Sequence, residues 1–438
     1  MRIAMIGTGY VGLVSGVCFS EFGFDVTCVD IDADKIARLN NKEIPIYEPG
    51  LDALVERNLE AGRLGFTTDL DGAVAAANVV FIAVGTPSRR GDGEADLTYV
   101  FDAARQVARV LTPGTVVVIK STVVVGTCRK VAQIIREERP DAEFSIASNP
   151  EFLREGSAIE DFMRPDRVVV GAEDARAEEA LRRLYRPLYL RETPILVSTL
   201  ENAELTKYAA NAFLALKITF INEIANLCER VGADVQKVAS GIGLDNRIGG
   251  KFLHAGPGFG GSCFPKDTSA LAATGARHGA PLRLVETTIE VNEARKRDMA
   301  TRILAALGPE TAGKRVGILG IAFKPNTDDV RDAPSLVIVP ALQAAGVEVI
   351  AHDPEAREQA EPLLPGVVWC ENPYDVANDV DVLAVVTEWN LYRGLAPEEL
   401  ATRMRGRSVI DMRNIWAAPD VEAAGLRYQG IGKPAAKG

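Results

Sequence analysis

Residues 1–30 read MRIAMIGTGYVGLVSGVCFSEFGFDVTCVD, and this stretch decides the fold. A short apolar run, RIAMI, stops at Gly7, and Gly7, Gly9 and Gly12 follow in the spacing GxGxxG before a stretch of helical character. A strand that turns tightly into a helix needs small residues there, because the backbone must approach a pyrophosphate closely and leave the helix N–H groups free to meet it. Tyr10 and Val11 open that helix and count with the glycines as cofactor contacts. A second strand ends at Asp30, near the ~20-residue spacing at which a carboxylate meets an adenosine ribose. That carboxylate would repel a 2′-phosphate, so NAD is favoured over NADP, and Lys35 beside it does not reverse the preference. The plain alternative is a Rossmann-like fold that holds no cofactor.

Outward from this unit, β-branched runs alternate with helical stretches: VVFIAVG, VVVIKST, FSIASN, RVVVG and PILVST. The alternation predicts a doubly wound parallel sheet. Glu201 to Arg230 carries neither Gly nor Pro, and its apolar residues recur at helical spacing, which predicts one long helix. That helix offers a broad face to a two-fold partner, or is buried within its own chain. More helical sequence, broken by a glycine-dense stretch from Gly241 to Gly261, runs to about Leu307. Lys314 to Gly320 then starts a second strand-and-helix series with VEVIAHD and DVLAVVTEW as later strands. The fold class is therefore α/β, with two Rossmann-like doubly wound domains joined by a long central helix and a helical middle domain. The expected division is 1–200 for NAD, 201–307 for the helical part, and 308–438 for the second Rossmann-like domain, with a cleft between the α/β domains and a frayed tail, AAKG, at 435–438.

Length and composition set outer bounds. With 438 residues, 47% of them hydrophobic, several full cores can form. A net charge of -11 argues against nucleic-acid or anionic-membrane partners, so an anionic ligand must meet locally placed cations. The apolar start imitates a signal peptide, but four glycines interrupt it and Glu21 and Asp25 follow closely. No uncharged apolar run reaches the about 18 residues of a membrane span. Six cysteines without CxxC pairs suggest neither disulfides nor zinc, and a reducing cytoplasm fits them. His254, His278 and His352 stand far apart, and no metal is assigned.

Ligands of open α/β sheets lie beyond the carboxyl ends of the strands. Gly85 and Thr86, Ser121 and Thr122, and Asn149 to Glu151 occupy three such ends, although turn chemistry alone would also put polar residues there. The stretch GPGFGGSCFPKD, Gly256 to Asp267, carries more. Pro265 fits the first turn of a helix, which puts Cys263 at or just before the amino terminus. There the helix dipole and Lys266 would favour thiolate over the free value of roughly 8.5, and the glycines would let a ligand approach. The other five cysteines read as inert core residues.

GTGYVG, NPEFLREG, ELTKYAANAFLA, DNRIGGKFL, GFGGSCFPKD and FKPNTDDVRD, in this order along nearly the whole chain, resemble the UDP-glucose 6-dehydrogenases within the wider family of UDP-glucose and GDP-mannose dehydrogenases. The resemblance implies a nucleophile at Cys263 with Asp267 one turn on and Lys266 near the cofactor, a catalytic Lys207 and Asn211, a general base at Glu151, and a water-positioning Thr122. It places Glu155 near both cofactor and substrate, and Phe152, Leu153 and Arg154 along the sugar nucleotide. Arg247 would meet sugar or phosphate oxygens, Phe252, Leu253, His254, Ala255, Gly256 and Gly260 would line the nucleotide, Lys324 would reach the substrate, and Arg331 would lie near NAD. Lys207 and Asn211, four residues apart, share a helix face. A homodimer is implied as well.

The family shows a proline in its STVP-type segment where this chain has Val124, so the turn around Thr122 is expected to differ. The implied chemistry is a four-electron oxidation of UDP-glucose to UDP-glucuronate through a cysteine-bound thiohemiacetal and thioester. GDP-mannose or an N-acetylated UDP-hexose remains open as substrate, since pocket shape decides it. A two-electron β-hydroxyacid dehydrogenase, which would not need Cys263, and a non-catalytic nucleotide sensor are the more distant alternatives.

Overall fold

The computed structural model describes residues 1–89 and 93–434, so the tail 435–438 lies outside the described residues. The chain divides into two compact units, 1–210 and 211–438.

In the first unit eight strands form one sheet in the order β3-β2-β1-β4-β5-β6-β7-β8. They are β1 (Arg2–Ile6), β2 (Asp25–Val29), β3 (Leu64–Thr67), β4 (Val79–Ile82), β5 (Thr115–Ile119), β6 (Phe144–Ser148), β7 (Val168–Ala172) and β8 (Ile195–Ser198). Both faces of the sheet are covered, which is why the strands read as unbroken apolar runs instead of alternating ones. Ile3, Met5, Phe81 and Val118 join one core with Phe19 and Phe162; Ala4, Ile6, Val80, Ile82, Val117 and Ile119 join the other.

The sheet departs from expectation at one place. β7 pairs with β6 antiparallel, Ala147 opposite Ala172 and Ser148 opposite Gly171. The connection from Asn149 to Arg167 holds only a six-residue helix, Ala158–Met163, and β7 starts back from the end where β6 finished. β7 and β8 then run parallel to each other. A Cβ on Gly171 would stand 2.8 Å from Leu200 Cα and Thr199 O, so the glycine lets the start of the long helix seat directly on β7. β3 escaped the sequence reading because LGFT is short and half polar.

The long helix runs Leu200–Val231, one residue beyond the predicted span at each end. The second unit carries helices Val235–Gly243, Phe264–Arg277 and Arg283–Leu307 and a fully parallel sheet, ordered β11-β10-β9-β12-β13-β14. Its strands are β9 (Arg315–Leu319), β10 (Glu348–His352), β11 (Val368–Trp369), β12 (Val382–Val385), β13 (Ser408–Asp411) and β14 (Arg427–Gly430). β9, β10 and β12 were legible; β11, β13 and β14, two to four residues each, were not. No helix among the described residues is long and apolar enough to cross a membrane.

Candidate active site

The glycine turn sits at the carboxyl ends of β1 and β4, where the strand order reverses. Gly7 has φ +100°, and a Cβ there would meet Ala83 O at 2.7 Å; one on Gly12 would meet Gly7 O at 2.0 Å. These two glycines are demanded by the chain itself. Gly9 is different: it is exposed, and a Cβ there would meet nothing within 4 Å. It is the N-cap of the helix Tyr10–Glu21, makes no side-chain cap and is followed by no acidic residue in the first turn. Uncapped N–H groups beside open space fit a pyrophosphate.

Asp30, the residue just after β2, accepts from Thr8 N at 2.9 Å and Thr8 Oγ1 at 2.6 Å, while Lys35 Nζ lies 3.3 Å away. Burial alone would raise its carboxyl, but the Thr8 and Asp32 hydrogen bonds and the Lys35 ammonium outweigh it and hold the group below the usual carboxylate range. Gly85 is exposed past β4, and the buried Thr86 donates from Oγ1 to Thr122 O at 3.0 Å. Thr122 itself is half-buried. In the turn around Val124, Val124 O accepts from Thr127 N at 3.2 Å, and Glu204 closes the turn by accepting from Gly126 N and Cys128 N, each at 2.7 Å. Val11 is half-buried; Tyr10 donates its hydroxyl to Glu48, which also accepts from Gly156 N and Ala158 N.

Beyond β6 the chain enters NPEFLREG. Glu151 is 5% exposed and pairs with Lys207 Nζ at 3.0 Å. Burial would raise the Glu151 carboxyl; Lys207, the Leu153 N–H and the more distant Lys120 prevail and keep it low. Phe152 lies under the Arg167 guanidinium, 3.5 Å from ring centroid, with Lys207 Nζ at 5.3 Å from that centroid. Arg154 is exposed and turned onto Asp161, Leu153 packs against the core, and Glu155 is half-buried with its charge felt by Tyr10.

One turn after Lys207 on the same helix, Asn211 donates from Nδ2 to Asp267 Oδ2 at 2.6 Å. Asp267 is 1% exposed and also takes Lys266 Nζ at 2.7 Å on Oδ1. It stands in the first turn of the helix Phe264–Arg277, and its N–H donates to Cys263 O at 2.8 Å. Cys263 is the N-cap, half-buried, with Pro265 just after it. Cys18, Cys28, Cys128 and Cys228 are buried, and burial pushes the Cys28 thiol up to about 12.

Several predicted contacts take other partners. The space beside Gly260 and Gly261 is filled by the protein's own chain: a Cβ would stand 2.3 Å from Asp332 O and 2.7 Å from the Phe323 ring, and Gly261 N donates to Arg331 O. The Cβ side of both glycines is therefore taken up by packing against residues 323 and 332. Leu253 points into the core, so only its backbone could face a nucleotide; His254 is exposed, Ala255 half-buried, and Phe252 adopts φ +65°. Gly256 is held at both ends, its N–H by Asn222 and its carbonyl by Arg295. Arg247 forks onto its neighbour Asp245 with its side chain 89% exposed. Arg331 forks onto Asp329, and Lys324 lies over Phe323.

Sequence reading missed Lys120, Glu48 and Arg167. Lys120 is 3% exposed, with Nζ 3.0 Å from Asn149 Oδ1 and 3.1 Å from Tyr185 Oη. Burial pushes its ammonium down to about 7. A lysine closing the run TVVVIK looks like an ordinary solvated strand end, and its covering partner, Tyr185, is 65 residues away.

Three family models match in order: the NAD binding domain of the UDP-glucose/GDP-mannose dehydrogenase family at residues 1–189, its central domain at 201–294, and its UDP binding domain at 317–418. The UDP-glucose 6-dehydrogenase of Rhizobium meliloti (strain 1021) is 57% identical over 99% of this chain and 100% of its own length. UDP-glucose 6-dehydrogenase TuaD of Bacillus subtilis (strain 168) is 48% identical over 100% of this chain and 94% of its own. The solved UDP-glucose dehydrogenase of the archaeon Pyrobaculum islandicum superposes with a TM-score of 0.90 at 41% identity, covering 99% of this chain and 98% of that one. Domain order, glycine turn and full-length likeness agree, and the chain belongs to the UDP-glucose/GDP-mannose dehydrogenase family as an NAD-dependent dehydrogenase.

Proposed function

We propose that this enzyme oxidises C6 of UDP-glucose twice, to UDP-glucuronate, through a thioester on Cys263. The observation that carries the reading is the Cys263 helix tip: its first turn presents Asp267, which grips Asn211, one turn along the long helix from Lys207. The segments 1–200, 201–307 and 308–438 are assigned to cofactor, chemistry and nucleotide respectively. The substrate is taken from the full-length relatives that bear the name of this activity.

The Gly7–Gly12 turn and Asp30 would hold NAD, which would supply the hydride acceptor, two equivalents per sugar. A water held by Asp267 and Lys207 takes the hydroxyl proton as the C6 hydride departs to that acceptor and C6 becomes an aldehyde. The Cys263 thiolate adds to the aldehyde carbon, and the oxyanion that forms is met by Lys207 and Asn211. Collapse of that oxyanion to a carbonyl, with departure of the second C6 hydride to the second acceptor, leaves the thioester. Glu151 takes a proton from water, the water oxygen bonds to the thioester carbon, and the C–S bond breaks to return thiolate and release carboxylate. The low-lying carboxyl of Glu151 keeps it ionised for that task.

The expected homodimer is supported by the long helix, whose Phe213, Phe220 and Leu227 recur every seven residues while 46–60% exposed. A second copy covering that stripe would remove it from water. Cytoplasmic residence accords with free, mostly buried thiols.

A panel of UDP-glucose, GDP-mannose and UDP-N-acetylglucosamine scored for NADH tests the substrate. UDP-glucose should lead, with two NADH per uronate; a ratio of one would reject the four-electron scheme. Cys263→Ser should retain NAD binding and lose uronate formation, and normal turnover in that variant would take Cys263 out of the mechanism.

A further inference from the structure

Glu151 sits at the end of a buried polar cluster that the reaction scheme does not use. Lys120 closes β5, the neighbour of β6, and its Nζ meets Asn149 Oδ1 and the Tyr185 hydroxyl. Tyr185 donates to the same Asn149 oxygen at 2.6 Å, and Asn149 Nδ2 donates to Val169 O at 2.9 Å on β7. The Asn149 backbone N–H is taken by Ile119 O. Every polar group of the Asn149 side chain is thus engaged, and all three side chains are buried. Two residues later the chain reaches Glu151.

A buried ammonium with no carboxylate of its own is costly, and a chain gains nothing in stability by keeping one. A methionine would fill the same space, and Asn149 would still have the Tyr185 hydroxyl. Phe162 and Tyr185 flank the ammonium with ring centroids at 5.9 Å, which offsets part of the cost. Its electrostatic neighbours are Glu151, which favours the charged form, and Lys207, which opposes it. The cluster therefore spans β5, β6 and β7 and converges on one turn, the turn that aims the proposed base.

We propose that Lys120 is a positioning residue for the Glu151 base: through its hydrogen bond to Asn149, which it shares with Tyr185, it holds the Asn149–Pro150–Glu151 turn in place. The inference rests on the reading of Glu151 as the base for thioester hydrolysis. Lys120 touches neither substrate nor cofactor in this role.

The test uses the full-length enzyme with NAD and UDP-glucose. Lys120→Met should lower kcat by about tenfold, a fraction of what a general base contributes, with KM for UDP-glucose held within about twofold, and the thioester on Cys263 should accumulate in acid-quenched protein weighed by mass spectrometry. Wild-type kcat together with no thioester excess would overturn the proposal, as would a loss confined to KM. Tyr185→Phe, which removes one donor and keeps the ring, should show the same pattern at about two- to threefold; if Lys120→Met does not fold, an unchanged kcat and thioester level in Tyr185→Phe overturns it. Glu151→Gln separates the two readings. If Glu151→Gln stalls at the thioester and Lys120→Met does not, only the role of Lys120 fails; if Glu151→Gln itself turns over normally, the base assignment fails with it.

Discussion

Lys120→Met should also change stability in a way that depends on pH, and the size follows from burial. The Lys120 ammonium is pushed from the ordinary 10.5 to about 7 in the native state. At ~1.4 kcal/mol per pH unit that gap is about 5 kcal/mol, an order-of-magnitude ceiling on what the buried cation costs below neutrality. The native state binds fewer protons here than the unfolded chain between about 7 and 10.5, so this lysine makes wild-type stability rise with pH through that window. The variant has no such group. The difference in unfolding free energy, wild type minus variant, should therefore climb by about 2 kcal/mol from pH 7 to pH 9, and the variant should match or exceed wild type at the acid end. Urea unfolding followed by far-ultraviolet circular dichroism measures it. Trp369, Trp389 and Trp416 all lie in the 211–438 unit, so their fluorescence marks that unit's transition separately. A pH-independent difference would refute the claim that burial depresses the Lys120 ammonium.

Four further variants have outcomes set by the same structure. Gly12→Ala should cost about 1–3 kcal/mol in thermal unfolding, because its Cβ would stand 2.0 Å from Gly7 O; Gly9→Ala should leave the free enzyme's Tm unchanged yet weaken NAD about tenfold in a fluorescence titration, and unimpaired binding would remove Gly9 from the pyrophosphate site. Asp30→Ala should strip Thr8 of two hydrogen bonds, weaken NAD about tenfold and narrow the preference over NADP; comparison of kcat/KM for the two cofactors checks it. Asp267→Asn should leave Lys266 without its carboxylate and set an amide against the Asn211 amide, costing about 1–3 kcal/mol in urea melts read by tryptophan fluorescence, with uronate formation lost.

The linear order of the chain was enough for the glycine turn, the carboxylate at the end of β2, the 32-residue helix and the placing of Cys263 at a helix tip. Each depends on residues close in sequence, whose spacing is set by backbone geometry alone. Lys207 and Asn211 belong with them, since a helix puts residues four apart on one face. What folding alone decided lies in contacts between distant segments. Glu151 meets Lys207 across 56 residues, Asn211 meets Asp267 across another 56, and Lys120 is enclosed by Tyr185 from 65 residues away. That the side-chain direction of Gly260 is occupied by residues 332 and 333 is likewise a fact of the folded chain alone. Local pattern determines which backbone an element adopts; burial and charge pairing depend on which other segment arrives beside it, and no spacing along the chain records that.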